Sequence, residues 1–117
     1  MSASTLIVSE HADIAELIAD QAKSLRKFAH VESCAPGAAV GQLMQSALDL
    51  LILDITEDDE DYLELIEEFQ SRFPKAWVVL MTELCRPVPM LMRAENVFRV
   101  ERNNFASLSE VLSVLAS

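Results

Sequence analysis

Leu50-Leu51-Ile52-Leu53 is a run of four aliphatic residues, preceded by Asp49 and closed by Asp54 and Ile55. A strand that is apolar at every position, rather than at alternate ones, must be covered on both faces. That is the pattern of parallel sheets flanked by helices. In such sheets ligands gather at the carboxyl ends of the strands. Asp54 is therefore placed as a functional carboxylate, and the rest of the chain decides whether it has the partners it needs.

Four further strand signals surround this one: Thr5-Leu6-Ile7-Val8, a weaker Val31 to Cys34, Trp77-Val78-Val79-Leu80-Met81, and Val97 to Val100. Helical spacing separates them. Ile14, Leu17, Ile18, Ala22 and Leu25 form one stripe, with Asp13 and Glu16 in the first turn where the helix dipole favours acids. Ala39, Val40, Leu43, Met44 and Ala47 form a second, shorter one. Tyr62, Leu65, Ile66, Phe69 and Phe73 form a third, which Pro74 ends because proline cannot continue the ladder.

Ser107 and Glu110 have capping-box spacing and open a last helix through Val111, Leu112, Val114 and Leu115. Between the fourth and fifth strands, Pro87 and Pro89 bracket Val88. They leave room only for a short helix starting near Pro89 and running through Leu91 and Met92 to Ala94. This order predicts an α/β fold: a (βα)5, doubly wound, five-stranded parallel sheet of the flavodoxin-like kind with a shortened fourth helix. Residues 1–117 form one domain in this reading.

Composition narrows the function. With 51% apolar residues and a mean hydropathy of +0.23, the chain has the makings of a packed core. No apolar run approaches a membrane span, and the N-terminus lacks the basic and apolar regions of a signal peptide, so a soluble, cytoplasmic protein is expected. A net charge of −10 argues against direct contact with nucleic acid or anionic lipid, both of which need phosphates neutralised by Lys and Arg. Cys34 and Cys85 have no metal-ligand spacing and read as reduced thiols, and His11 and His30 are isolated. Gly37 and Gly41, the only glycines, form no phosphate-cradling loop, which disfavours a small flavodoxin-like enzyme or nucleotide binder.

The five-unit order, with Asp54 ending the third strand and Thr82 ending the fourth, resembles the receiver domain of bacterial two-component response regulators over essentially the whole chain. The resemblance implies that Asp54 is the phospho-acceptor position, Thr82 the switch hydroxyl, and Phe98 the aromatic switch residue in one register of the fifth strand. After the acceptor the family runs Met-Pro at three and four residues on, Asp-Gly at seven and eight, and Glu at ten. Asp61 and Glu64 match the last Asp and the Glu, Glu57 and Asp58 replace Met-Pro, and Tyr62 replaces the Gly.

Phosphoryl transfer to a carboxylate needs positive charge, because an anion attacks an anion. The family supplies Mg²⁺, held by an acidic pair after the first strand, by the acceptor Asp and by the carbonyl two residues beyond it, and it adds a lysine at the end of the fifth strand. Here the acidic pair reads Ser9-Glu10, so the resemblance implies at most a weakened Mg²⁺ site of Glu10, Asp54 and Thr56. Alignment on Phe98 puts Glu101 at the lysine position, and alignment on Phe105 puts Asn103 there. All three lysines, Lys23, Lys27 and Lys75, precede the fourth strand, and Arg99 or Arg102 would be the substitute cation. Ser9, Glu101 and Asn103 are thus degenerate positions, and the cofactor expectation is none with certainty, or Mg²⁺ held with weak affinity.

The expected function is that of an atypical receiver, or pseudo-receiver. It is a non-enzymatic signalling module acting through protein contacts, with phosphorylation of Asp54 impaired or absent. The alternative is a working receiver with Mg²⁺-dependent phosphorylation of Asp54. Expected partners are a signalling protein, a histidine kinase or an output domain. A homodimer through the fourth-helix, fifth-strand and fifth-helix face is also expected, with Pro89, Met90, Leu91, Met92 and Phe98 on the contact surface. The acidic run Glu57 to Asp61 reads as a solvated loop and helix start.

Overall fold

A computed structural model describes residues 4–25, 28, 30–45, 47–54, 61–82, 96–101 and 104–116. Five strands, β1 (Ser4–Val8), β2 (His30–Cys34), β3 (Leu50–Asp54), β4 (Trp77–Thr82) and β5 (Val97–Glu101), make one parallel sheet in the order β2-β1-β3-β4-β5. Among the described residues four helices cover it: α1 (Ala12–Lys23), α2 (Ala39–Gln45), α3 (Asp61–Arg72) and α4 (Phe105–Ala116). A 3₁₀ turn, Pro36–Ala38, leads into α2. This is the five-stranded parallel α/β sheet, flavodoxin-like in its order, expected from the strand pattern. The short helix expected near Pro89 lies outside the described residues.

The sheet divides two separate apolar linings. Strand alternation sends Ile7, Leu50, Ile52, Val79, Met81 and Val100 to the face covered by α1 and α4. Leu6, Val8, Leu51, Leu53, Val78 and Leu80 go to the face covered by α2 and α3. Leu50 to Asp54 are all buried, as a strand lined on both sides must be. At the edge, β2 is mostly exposed, with His30, Glu32 and Ser33 outward, which is why its sequence signal is the weakest. The opposite edge strand, β5, exposes Arg99 and Glu101, charges that discourage further strand pairing.

The β3 register is tied at its start by Asp49. Its carboxylate Oδ2 accepts the Ser4 N–H at 2.9 Å, while its own N–H donates to the Ser4 carbonyl at 2.9 Å. Two local expectations change. The capping residue of α4 is Asn104, whose Oδ1 accepts the Ser107 N–H at 3.1 Å, so Ser107 sits inside the first turn instead of opening the helix. Of the two helical stripes, Leu17 (52% exposed), Val40 (52%) and Met44 (64%) face outward, and burial falls to Ala15, Ile18, Ala22, Ala39 and Leu43. Their spacing is helical, but the buried arc is narrower than the apolar one.

Candidate functional site

The carboxyl edge of the sheet is built by the register. Val8 pairs with Leu53, so the next residues along, Ser9 and Asp54, meet side by side at the ends of β1 and β3. Both are 5% exposed. The Ser9 hydroxyl donates to Asp54 Oδ2 at 2.9 Å. Ser9 Oγ also accepts the His11 N–H at 3.0 Å, and the His11 carbonyl lies 3.2 Å from it as a longer, uncharged competitor for the one hydroxyl hydrogen. The shorter bond to a carboxylate is the stronger of the two. Ser9 is further fixed through its backbone N–H, which donates to the Cys34 carbonyl at 3.2 Å. Glu10, the second member of the Ser9-Glu10 pair, is exposed.

A second polar pair lies on the neighbouring strands. Thr82, 4% exposed, ends β4, and Arg99 Nε–H donates to its Oγ1 at 3.0 Å. Thr82 shares its strand face with Val78 and Leu80, and Arg99 shares the face of Val97, so this pair belongs to the α2–α3 side. Ser9 and Asp54 alternate with Ile7 and Ile52 and belong to the α1–α4 side. Two hydrogen-bonded pairs therefore flank the edge, one on each face.

The β4–β5 register gives Glu101 its place: its Cα partner is Thr82. Phe105 is the first residue of α4, so Phe98 is the phenylalanine carried by β5. Phe98 is half-buried against Trp77, with ring centroids 5.5 Å apart and planes tilted by 46°. Thr56 and Asn103 lie outside the described residues, as do Arg102 and Pro89, Met90, Leu91 and Met92. Cys34 ends β2, half-buried, and burial pushes its thiol pKa up, with the charge of Glu32 adding to the effect.

A Mg²⁺ ion of the kind the resemblance implies needs several oxygens at near-octahedral positions. The described donors do not fit it. Where a second carboxylate would stand, Ser9 presents a hydrogen to Asp54 and commits a lone pair to His11, so an ion touching both oxygens would have to displace that hydrogen. Among the described residues no three His, Cys, Asp or Glu side chains come together in a way that could hold a metal. No described helix is long and apolar enough to cross a membrane.

Sequence reasoning identified Asp54, Ser9 and Thr82 but treated Ser9 only as a lost ligand. The signal for its present role was available: a small hydroxyl one residue past a strand that neighbours β3 in parallel register is level with Asp54. Arg99, which with Arg102 was a candidate substitute cation, places its Nε–H on Thr82 Oγ1.

No protein-family model matches the sequence, and no curated protein matches it either. Solved structures do. Chemotaxis response regulator CheY4 of Vibrio cholerae superposes with a TM-score of 0.73 at 15% identity, over 98% of both chains. A response regulator from Colwellia psychrerythraea gives 0.72 at 21%, over 99% of this chain and 98% of that one. A chain from the complex of histidine kinase ThkA with response regulator protein TrrA gives 0.70 at 23%, over the full length of both. At these identities the likeness is one of fold.

Proposed function

We propose that the chain is an atypical receiver, or pseudo-receiver: a non-enzymatic signalling module that acts by protein contact, with phosphoryl transfer to Asp54 impaired. The observation that carries this reading is the pairing of Thr82 with Glu101 across β4 and β5. Where the resemblance implies a lysine to neutralise a phosphorylated aspartate, the fifth strand ends in a carboxylate. A second negative group at that edge raises the barrier to bringing an anionic phosphoryl group to Asp54.

The partner in this reading is a histidine kinase, an output domain or another signalling protein. The ThkA–TrrA complex supplies the fold-level precedent. A homodimer through β5 and α4, with the segment before β5 joining the face, belongs to the same proposal. Light scattering that finds only monomer at high concentration would count against the homodimer.

Incubation with acetyl phosphate and MgCl₂, followed by intact-mass measurement, tests the functional reading. It expects no lasting phosphoryl adduct. A stable adduct on the wild type that disappears in Asp54→Asn would overturn it.

One observation favours a second reading, a working phospho-acceptor: Arg99 brings a cation to Thr82 at the same edge. That reading expects the adduct, and expects Arg99→Ala to abolish it. Trp77 opens β4 at the amino edge, remote along the strand from Asp54, so amide resonances rather than indole fluorescence report on this site.

A further inference from the structure

Residues 33–48 are the longest stretch of the chain without a charged residue, in a sequence that is 24% charged and has a net charge of −10. Among the four described helices, α2 alone carries no charge. Ala39 and Leu43 bury its inner side, while Val40 (52% exposed) and Met44 (64%) stand four apart on its outer side. The exposed residues on either side of it, Pro36 to Ala38 and Ala47, are uncharged as well. The other large apolar residues in solvent have acidic neighbours. Leu17 is set among Asp13, Glu16 and Asp20 on α1, and Val114 lies one turn from Glu110 on α4.

Gly41 points the same way. It is exposed and lies inside a seven-residue helix, where glycine is a poor helix former. Its backbone is not left-handed, and a Cβ built on it meets nothing within 4 Å, so neither conformation nor packing within the chain requires glycine. Beside Val40 and one turn from Met44, the missing side chain lets another surface approach closely.

We propose that α2 is a self-association face, on which a second copy of this chain seats its own Val40, Gly41 and Met44 about a two-fold axis. Charge selects the occupant. Two molecules of net charge −10 repel each other most where acidic faces meet, and least where the neutral one does. A two-fold contact sets the same patch against itself, so an uncharged patch needs no opposite charge across from it. Seven helical residues span about 10 Å, so the contact is small and belongs to the weak, concentration-dependent class. It is separate from a homodimer through β5 and α4, because α4 packs on the other side of the sheet. It rests on neither reading of Asp54.

Sedimentation equilibrium and amide-resonance dilution series on the wild type, Met44→Glu and Gly41→Ala test the contact at low and high salt. The wild type is expected to dimerise at high protein concentration, with dilution shifts centred on α2. Its dimer is expected to tighten at high salt, where repulsion between the copies is screened. Met44→Glu places a charge on both copies and is expected to weaken the dimer more than tenfold, since a two-fold contact counts each substitution twice. Gly41→Ala is expected to raise Tm by roughly 4 °C through its better helix propensity, yet to weaken the dimer about tenfold by holding the copies apart. If Met44→Glu does not fold, Gly41→Ala decides.

A wild type that stays monomeric at the highest concentration would overturn the inference and leave the face to a different protein. A dimer that both variants leave unchanged would overturn it and place the contact elsewhere on the chain. A dimer that loosens at high salt would overturn it as well, because opposite charges would then be holding the copies together.

Discussion

The Ser9–Asp54 bond makes a quantitative prediction about stability. Ser9→Ala deletes a donor to a carboxylate at 2.9 Å and an acceptor for the His11 N–H at 3.0 Å, with Ser9 and Asp54 both 5% exposed. A hydrogen bond to a charged group contributes about 1.5–3 kcal/mol, and a part-buried bond to a backbone amide about 1 kcal/mol. Partial hydration of the freed groups offsets some of this, so the single substitution is expected to cost about 2–3 kcal/mol. For a domain of this length, about 2 kcal/mol corresponds to roughly 8 °C in Tm.

The assay is urea unfolding of the wild type, Ser9→Ala, Asp54→Ala and the double variant, with m-values checked for constancy. The cycle separates the shared bond from the His11 contribution, because only the former is lost in both single variants. A coupling energy of about 1.5–2 kcal/mol is expected. Additivity within about 0.5 kcal/mol would refute the reasoning, since two groups joined by a charged, buried hydrogen bond cannot behave as independent sites.

Three further outcomes follow from other residues. Thr5 is 1% exposed and its Oγ1 has no hydrogen-bond partner among the described residues, so Thr5→Val, which keeps the shape and removes that hydroxyl, is expected to stabilise the fold by about 1 kcal/mol in urea unfolding. Asn104→Ala is expected to cost about 1 kcal/mol through loss of the α4 cap and Asn104→Gly only a few tenths, so equal losses in the same assay would exclude the capping role. The raised thiol pKa of Cys34 predicts slower alkylation than a free cysteine at neutral pH, followed by peptide mapping, with the rate midpoint above that of the free thiol. Glu32→Gln removes one of the two causes and is expected to lower that midpoint. The linked stability is present below the unfolded thiol's pKa and is lost as pH rises through the folded value.

The fold was legible because its central strands are apolar at every position. Leu50 to Leu53 and Val78 to Met81 admit no one-faced arrangement, and the helical stripes between them leave a parallel, doubly covered sheet. The position of Asp54 at a strand end was legible for the same reason. Less of its surroundings could be read. A serine's role depends on which acceptor its single hydrogen serves, and here the Asp54 carboxylate competes with the His11 carbonyl, a backbone group that every residue carries. That Arg99 reaches Thr82 depends on the β4–β5 register, which a five-residue edge strand with four partly buried or exposed positions does not announce. The α4 cap was misplaced because Ser107 and Asn104 both have capping chemistry, and only the first helical residue, Phe105, decides between them.

The sheet as a partition has an evolutionary corollary. Residues lining the α1–α4 side and those lining the α2–α3 side belong to separate packed groups, so a substitution in one need not be compensated in the other. One half of such a molecule is free to drift toward a new contact while the other keeps its ancestral shape. The carboxyl edge inherits the same freedom, because Ser9 with Asp54 and Thr82 with Arg99 are rooted in different halves. A change of chemistry on one side would thus leave the opposite surface intact as material for selection.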